Sequence, residues 1–112
     1  KTTMKKELEL YELVLLFKYT TAEYELTPKI EKYRDFLTER GSQVMVKNHG
    51  KRSLAYPIKG FETATFVQFV YYGNGTLIKE LATEIQRDES VLRAITTKVV
   101  DENVSNTFAQ SL

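Results

Sequence analysis

The 112-residue sequence predicts an α+β fold, a four-stranded antiparallel sheet with two helices on one face. Three observations predict it. Two long segments, 8–19 and 61–72, are apolar on both alternating registers, the pattern of central strands. Two other segments, around 28–40 and 76–86, carry apolar residues at helical spacing. The elements follow one another as strand, helix, strand, strand, helix, strand, with short links. That βαββαβ order fits the ferredoxin-like split βαβ motif. Right-handed crossovers then place the first and third strands centrally, and these are the two strands that the apolar pattern marks as central.

In residues 8–19, Leu10, Val14 and Leu16 share one face; Tyr11, Leu13, Leu15, Phe17 and Tyr19 share the other. Residues 20–26 read as a polar connection. Thr27-Pro28 predicts a helix start, because Thr caps exposed amides and Pro at the first helical position has no N–H to leave unpaired. Ile30, Tyr33 and Leu37 recur at helical spacing, with Phe36 and Arg40 beside them. Gly41 sits where a left-handed C-terminal cap belongs. Residues 44–47 alternate as a strand, and Asn48-His49-Gly50 reads as a bulge or loop tip. Leu54, Tyr56 and Ile58 resume the alternation. Pro57 cannot donate to a ladder and predicts a sheet edge or strand end.

In residues 61–72, Thr63, Thr65, Val67, Phe69 and Tyr71 share one face, and Ala64, Phe66, Val70 and Tyr72 the other. Gly73-Asn74-Gly75 ends the strand. Asn74 or Thr76 caps the next helix, whose stripe is Leu77, Ile78, Leu81, Ala82 and Ile85. Residues 91–100 form the last strand, with Ile95 and Val99 on one face and Leu92 and Ala94 on the other. The chain divides into an N-terminal extension (1–7), one domain (8–100) and a polar, flexible C-terminal tail (101–112).

Composition narrows the function. With 42% hydrophobic and 28% charged residues the chain can build an ordinary core. There is no cysteine, which excludes disulfides, thiol catalysis and Cys-ligated zinc. The longest apolar run, 13–17, falls far short of the roughly 20 residues of a membrane-spanning helix. A net charge of +1 argues against a protein that coats nucleic acid alone, since affinity scales with the phosphates neutralised. RNA binding by this chain therefore implies a more basic partner. The first residue is Lys rather than Met, which suggests a processed or trimmed chain.

An enzyme is hard to assemble from these residues. His49 is the only histidine and lies among basic neighbours, so no second His or Cys shares a metal with it. It reads as an exposed polar turn residue. The glycines at 41, 50, 60, 73 and 75 form neither a P-loop nor a dinucleotide fingerprint. Tyr19-Thr20-Thr21-Ala22 offers no phosphate-cradling loop. No catalytic residue, metal, cofactor or small-molecule substrate is expected. The aromatics on the two central strands exceed what one covered face needs, so some must face outward or meet a partner. Residues 61–72 lack the Lys/Arg-Gly-aromatic signature of RNA-recognition modules, which favours core packing or a protein interface there.

Positive charge is concentrated between Arg40 and Gly60, with five Lys/Arg and no Asp or Glu. Within that stretch stands Gly50-Lys51-Arg52-Ser53-Leu54-Ala55-Tyr56-Pro57-Ile58-Lys59, which reads as a basic hairpin. It resembles the signature of the small-subunit ribosomal protein S-six family at Gly50, Arg52, Leu54, Ala55, Tyr56, Ile58 and Lys59. Ser53 departs from that signature, where a charged or amide side chain is usual. Tyr11-Glu12 resembles the family's opening, and Arg87-Asp88 with Val91 and Arg93 its C-terminal region. The resemblance implies a structural protein that binds the central domain of small-subunit rRNA as a heterodimer with ribosomal protein S-eighteen, among other small-subunit proteins. It implies RNA-backbone contacts for Lys51, Arg52 and Lys59, with Arg93 a further candidate and Tyr56 stacking or packing at the junction. The tail from Asp101 would order along the partner or the RNA. Taken with the Lys1 terminus, the resemblance that residues 50–59 carry, to a bacterial and organellar family, implies a mature plastid (chloroplast) protein, with the bacterial cytoplasm as the alternative. The competing class is a ferredoxin-like regulatory domain that binds a protein or small ligand through its open sheet, without RNA.

Overall fold

The computed structural model describes residues 8–99. The expected extension (1–7) and tail (101–112) lie outside the described residues. The elements are β1 (Glu9–Lys18), α1 (Glu23–Glu39), β2 (Val44–Ile58), β3 (Phe61–Gly73), α2 (Gly75–Gln86) and β4 (Val91–Lys98). The four strands form one sheet of order β2-β3-β1-β4, and every neighbouring pair is antiparallel. The strands that are apolar on both registers, β1 and β3, are the central ones, and Pro57 lies on the edge strand β2 as its missing N–H requires.

Both helices pack on one face. Leu13, Leu15 and Phe17 of β1 and Val67, Phe69 and Tyr71 of β3 meet Leu26, Tyr33 and Leu37 of α1 and Leu77, Leu81 and Ile85 of α2. The other face carries no helix. Its apolar residues form two smaller clusters, Leu16, Ile58, Ala64 and Leu92 in one and Leu10, Met45 and Val70 in the other.

Four local expectations require correction or choice. First, α1 starts at Glu23, not at Thr27-Pro28; Ala22 is the N-cap and makes no side-chain cap bond. Leu26 is the reason. It is 6% exposed within the main core and extends the stripe of Ile30, Tyr33 and Leu37 back by one turn. Burying a leucine stabilises by about 2 kcal/mol, which offsets part of the cost of Pro28, whose missing N–H leaves one helical hydrogen bond unmade. At the far end Gly41 N–H donates to the Thr38 carbonyl and Ser42 N–H to Leu37, closing the helix as expected.

Second, residues 48–50 are a bulge, not a loop tip. Asn48 pairs with Val67 and Gly50 with Phe66, leaving His49 as the extra residue. The chain reverses instead at Lys59-Gly60, where φ is 51° and 85°, between the paired residues Ile58 and Phe61. Two consecutive positive-φ residues make a type I′ turn, whose twist suits a two-residue hairpin. The basic stretch is therefore the outer arm of a strand rather than a turn. Third, the register between β1 and β4 shifts at Leu16/Phe17, and Leu92 packs with Leu16 on the helix-free face. It does not share the face of Ala94. Fourth, of the two proposed caps for α2, Asn74 is the one used, its Oδ1 accepting from Leu77 N–H at 2.9 Å.

Candidate nucleic-acid interface

The outer arm of β2 leaves the regular ladder after Ser53, and the register with β3 is regained only at Ile58. Leu54 and Ile58 hold the arm down on the helix-free cluster. Arg52, Ser53, Ala55, Tyr56 and Pro57 remain exposed. The arm thus has an apolar underside and a polar, basic outside.

Each residue expected to touch RNA can be placed. Tyr56, 58% exposed, meets Arg93 of the opposite edge strand. The Arg93 guanidinium donates to the Tyr56 hydroxyl at 2.9 Å and lies 5.8 Å from the ring centre. A contact between β2 and β4, the two outermost strands, means that the arm curls across the helix-free face. Arg52 shares that face through its pairing with Ala64, and its Nε donates to the His49 carbonyl at 3.5 Å. Lys59 occupies the turn. With Arg93 and Lys18 it lines a groove of about 510 Å³ whose other wall includes Asp88 and Glu89. Lys51 is separate from these. It pairs with Thr65, on the helix side, and its ammonium lies 5.7 Å from the Tyr19 ring.

Ion pairing divides the cations of the fold. Lys29, Lys32, Arg34, Arg40, Arg87 and Lys98 each pair with a carboxylate. Among the described residues, Lys51, Arg52, Lys59 and Arg93 pair with none, and neither do Lys18, Lys47 and Lys79.

Three features went unread in the sequence. Lys18 joins the groove because it ends the same β1 register as Val14 and Leu16. A polar chain crosses the helix-free face: His49 Nε2 lies 2.8 Å from Gln68 Oε1, and Gln68 Nε2 donates to Glu12 Oε2 at 2.6 Å. His49 is thus a half-buried bulge residue, not an exposed turn residue. On the helix side Asp88, with a side chain only 8% exposed, accepts from Lys29 at 3.0 Å, Tyr33 at 3.0 Å and the Ser90 hydroxyl at 2.6 Å. Burial alone would raise its carboxyl pKa, but the bonds from Ser90, Lys29 and Tyr33 outweigh burial and hold it below the usual range. Burial, then Asp88, pushes the Tyr33 phenol up. Burial, then the nearby Tyr11, pushes Tyr71 up to about 12. These are structural features of the core side, not a reactive centre.

The described residues hold no group of three His, Cys, Asp or Glu that suits a metal ion, and none of their helices is long and apolar enough to cross a membrane. An open ferredoxin-like sheet with a basic, exposed edge arm is the architecture of a binding domain. Residues 10–98 match the family model described as Ribosomal protein S6. Among similar proteins, Small ribosomal subunit protein bS6 of Rippkaea orientalis is 38% identical over 92 residues, covering 81% of this chain and 74% of that protein. Small ribosomal subunit protein bS6c of Guillardia theta is 36% identical over 94 residues, covering 83% and 98%. The crystal structure of 30S ribosomal protein S6 from Thermotoga maritima superposes with a TM-score of 0.79 at 22% identity, over 92% of this chain and 98% of that one, a likeness of fold. The chain belongs to the ribosomal protein S-six family; it is a small-subunit ribosomal protein and not an enzyme.

Proposed function

We propose that this chain binds the central domain of small-subunit ribosomal RNA as a heterodimer with ribosomal protein S-eighteen. The observation that carries the reading is the outer arm of β2. It presents Lys51, Arg52 and Lys59, with Arg93 and Tyr56 joined beside them, and among the described residues no carboxylate pairs with these cations. Unpaired Lys and Arg on an exposed edge suit phosphate contacts, which position a protein on RNA. The net charge of +1 supports the need for a basic partner. The helix-free face, with its two apolar clusters, supplies a surface for that partner.

Protection mapping of the rRNA fragment tests the reading. Footprints that appear only when both proteins are present support it; the absence of any crosslink from the outer arm, with the fold intact, overturns it. The double substitution Lys51→Ala with Arg52→Ala should weaken RNA binding by about 1–3 kcal/mol and leave stability nearly unchanged. For the compartment we favour the plastid, since a bS6c relative aligns over nearly its whole length. An Arg- and Ser-rich leader in the precursor supports that choice, and a precursor without one returns the protein to the bacterial cytoplasm.

A further inference from the structure

The basic arm does not end the charged surface. Around the end of β1, four side chains from three neighbouring strands follow one another as cation, ring, ring, cation. Lys51 of β2 lies 5.7 Å from the Tyr19 ring. Tyr19, just past β1, meets the edge of Phe61 with ring centres 6.0 Å apart and planes at 76°. Lys18 lies 5.9 Å from the Phe61 ring. Tyr19 remains 43% exposed although two neighbours fix its ring. An aromatic held in place but left uncovered loses little conformational freedom when it gains a planar ligand.

The surroundings of the ring also suit a nucleotide. On one side Tyr19 opens on a groove of about 460 Å³ that Thr20, Thr21, Asn48 and Lys51 help to line. These side chains present hydroxyl, amide and ammonium groups, the kinds that recognise a sugar, a base edge and a phosphate. Glu23 is the acid of that lining, and it sits in the first turn of α1, where the positive end of the helix offsets its charge. On the other side, Lys18 also lines the groove of Lys59 and Arg93. Cations therefore continue from the helix side of the sheet, round its end, to the Tyr56–Arg93 pair. Proteins that hold single strands combine such a basic track with aromatic platforms.

From this arrangement we infer that Tyr19 is a stacking platform for an unpaired RNA nucleotide, with Lys51 and Lys18 holding the phosphates on either side. The inference rests on the RNA-binding reading above and extends it to a second contact, on the opposite side of the hairpin from Tyr56 and Arg93. It concerns a strand that leaves the helical RNA, since a paired base has no free face to offer.

The sequence contains no tryptophan, so Tyr19→Trp installs a single indole fluorophore at the site. The full chain with S-eighteen is titrated with the rRNA central-domain fragment. Quenching of the indole emission should follow the RNA binding curve. Tyr19→Leu should weaken RNA binding about ten-fold, and Tyr19→Phe should bind like the parent, both with unchanged melting temperatures. RNA binding at parental strength by Tyr19→Leu, or binding of Tyr19→Trp without quenching, overturns the inference and leaves the outer-arm reading standing. Quenching by S-eighteen before RNA is added overturns it in favour of a protein contact. Failure of the unsubstituted pair to bind the fragment at all overturns both readings.

Discussion

The two faces of the sheet are built from the same two central strands, yet they are finished differently. On the helix side Leu13, Leu15, Phe17, Val67, Phe69 and Tyr71 are at most 2% exposed. The chain closes this face by itself, with two amphipathic helices laid over it. On the other side Glu12 and Gln68 interrupt the apolar register between Leu10 and Val70 at one end and Leu16 and Ala64 at the other. The chain of His49, Gln68 and Glu12 lies across this interruption. A continuous apolar sheet of that size would invite indiscriminate association. Two apolar patches separated by a fixed polar strip stay wet when alone and still offer a shaped surface to a partner. The helix side therefore sets stability, and the helix-free side is available for recognition.

Substitutions can break this division. Phe17→Ala empties the fully buried side and should cost about 4 kcal/mol in urea unfolding. Ile95→Ala, at a side chain 44% exposed on the helix-free face, should change stability by no more than about 0.5 kcal/mol. Comparable losses at both positions would refute the contrast.

Asp88→Asn tests the polar anchor of the helix side, where one carboxylate gathers Lys29, Tyr33 and Ser90. It should cost about 2 kcal/mol at neutral pH. The pH dependence has a definite sign. The folded carboxyl is held below its ordinary value of 3.8, so its contribution is complete above that value and is lost as pH falls through the lower, folded one. Urea titrations from pH 7 downward should show the parent losing its advantage over Asp88→Asn only below about pH 4. An advantage that grows on acidification would contradict the bonding described.

The smallest expected effect sharpens the comparison most. Gln68→Leu joins the two apolar patches and leaves Glu12 and His49 to solvent. Stability should move by less than about 1 kcal/mol, because both groups are only partly buried. Pull-down of S-eighteen and self-association by light scattering then report on recognition alone. Unchanged partner binding with no self-association would mean that the polar strip has no part in specificity.

Much of this was readable from the chain. Apolar residues on both registers of 8–19 and 61–72 identified the central strands, because period-2 alternation depends only on local geometry. Pro57 marked an edge for an equally local reason. The misreadings had non-local causes. Thr27-Pro28 carries a strong helix-start signal, but Leu26 packs in the core one turn before Ile30 and the helix extends back past Pro28 to include it. Leu92 changed faces because a register shift against β1, invisible in β4 itself, reversed its side. His49 looked like a turn residue because its partner, Gln68, is 19 positions away.

By itself, the sequence determined the order of elements, the two central strands, the absence of cysteine chemistry, and the family signature in residues 50–59. These follow from local periodicity, composition and residue order. Only the tertiary structure decided that the signature is an arm rather than a turn, that Arg93 meets Tyr56 across 37 positions, and that Lys18, Tyr19 and Lys51 gather at one end of the sheet. Those meetings depend on strand order, on the register shifts along β2 and β4 and on how far the arm curls over the sheet, and packing between distant segments fixes all of these.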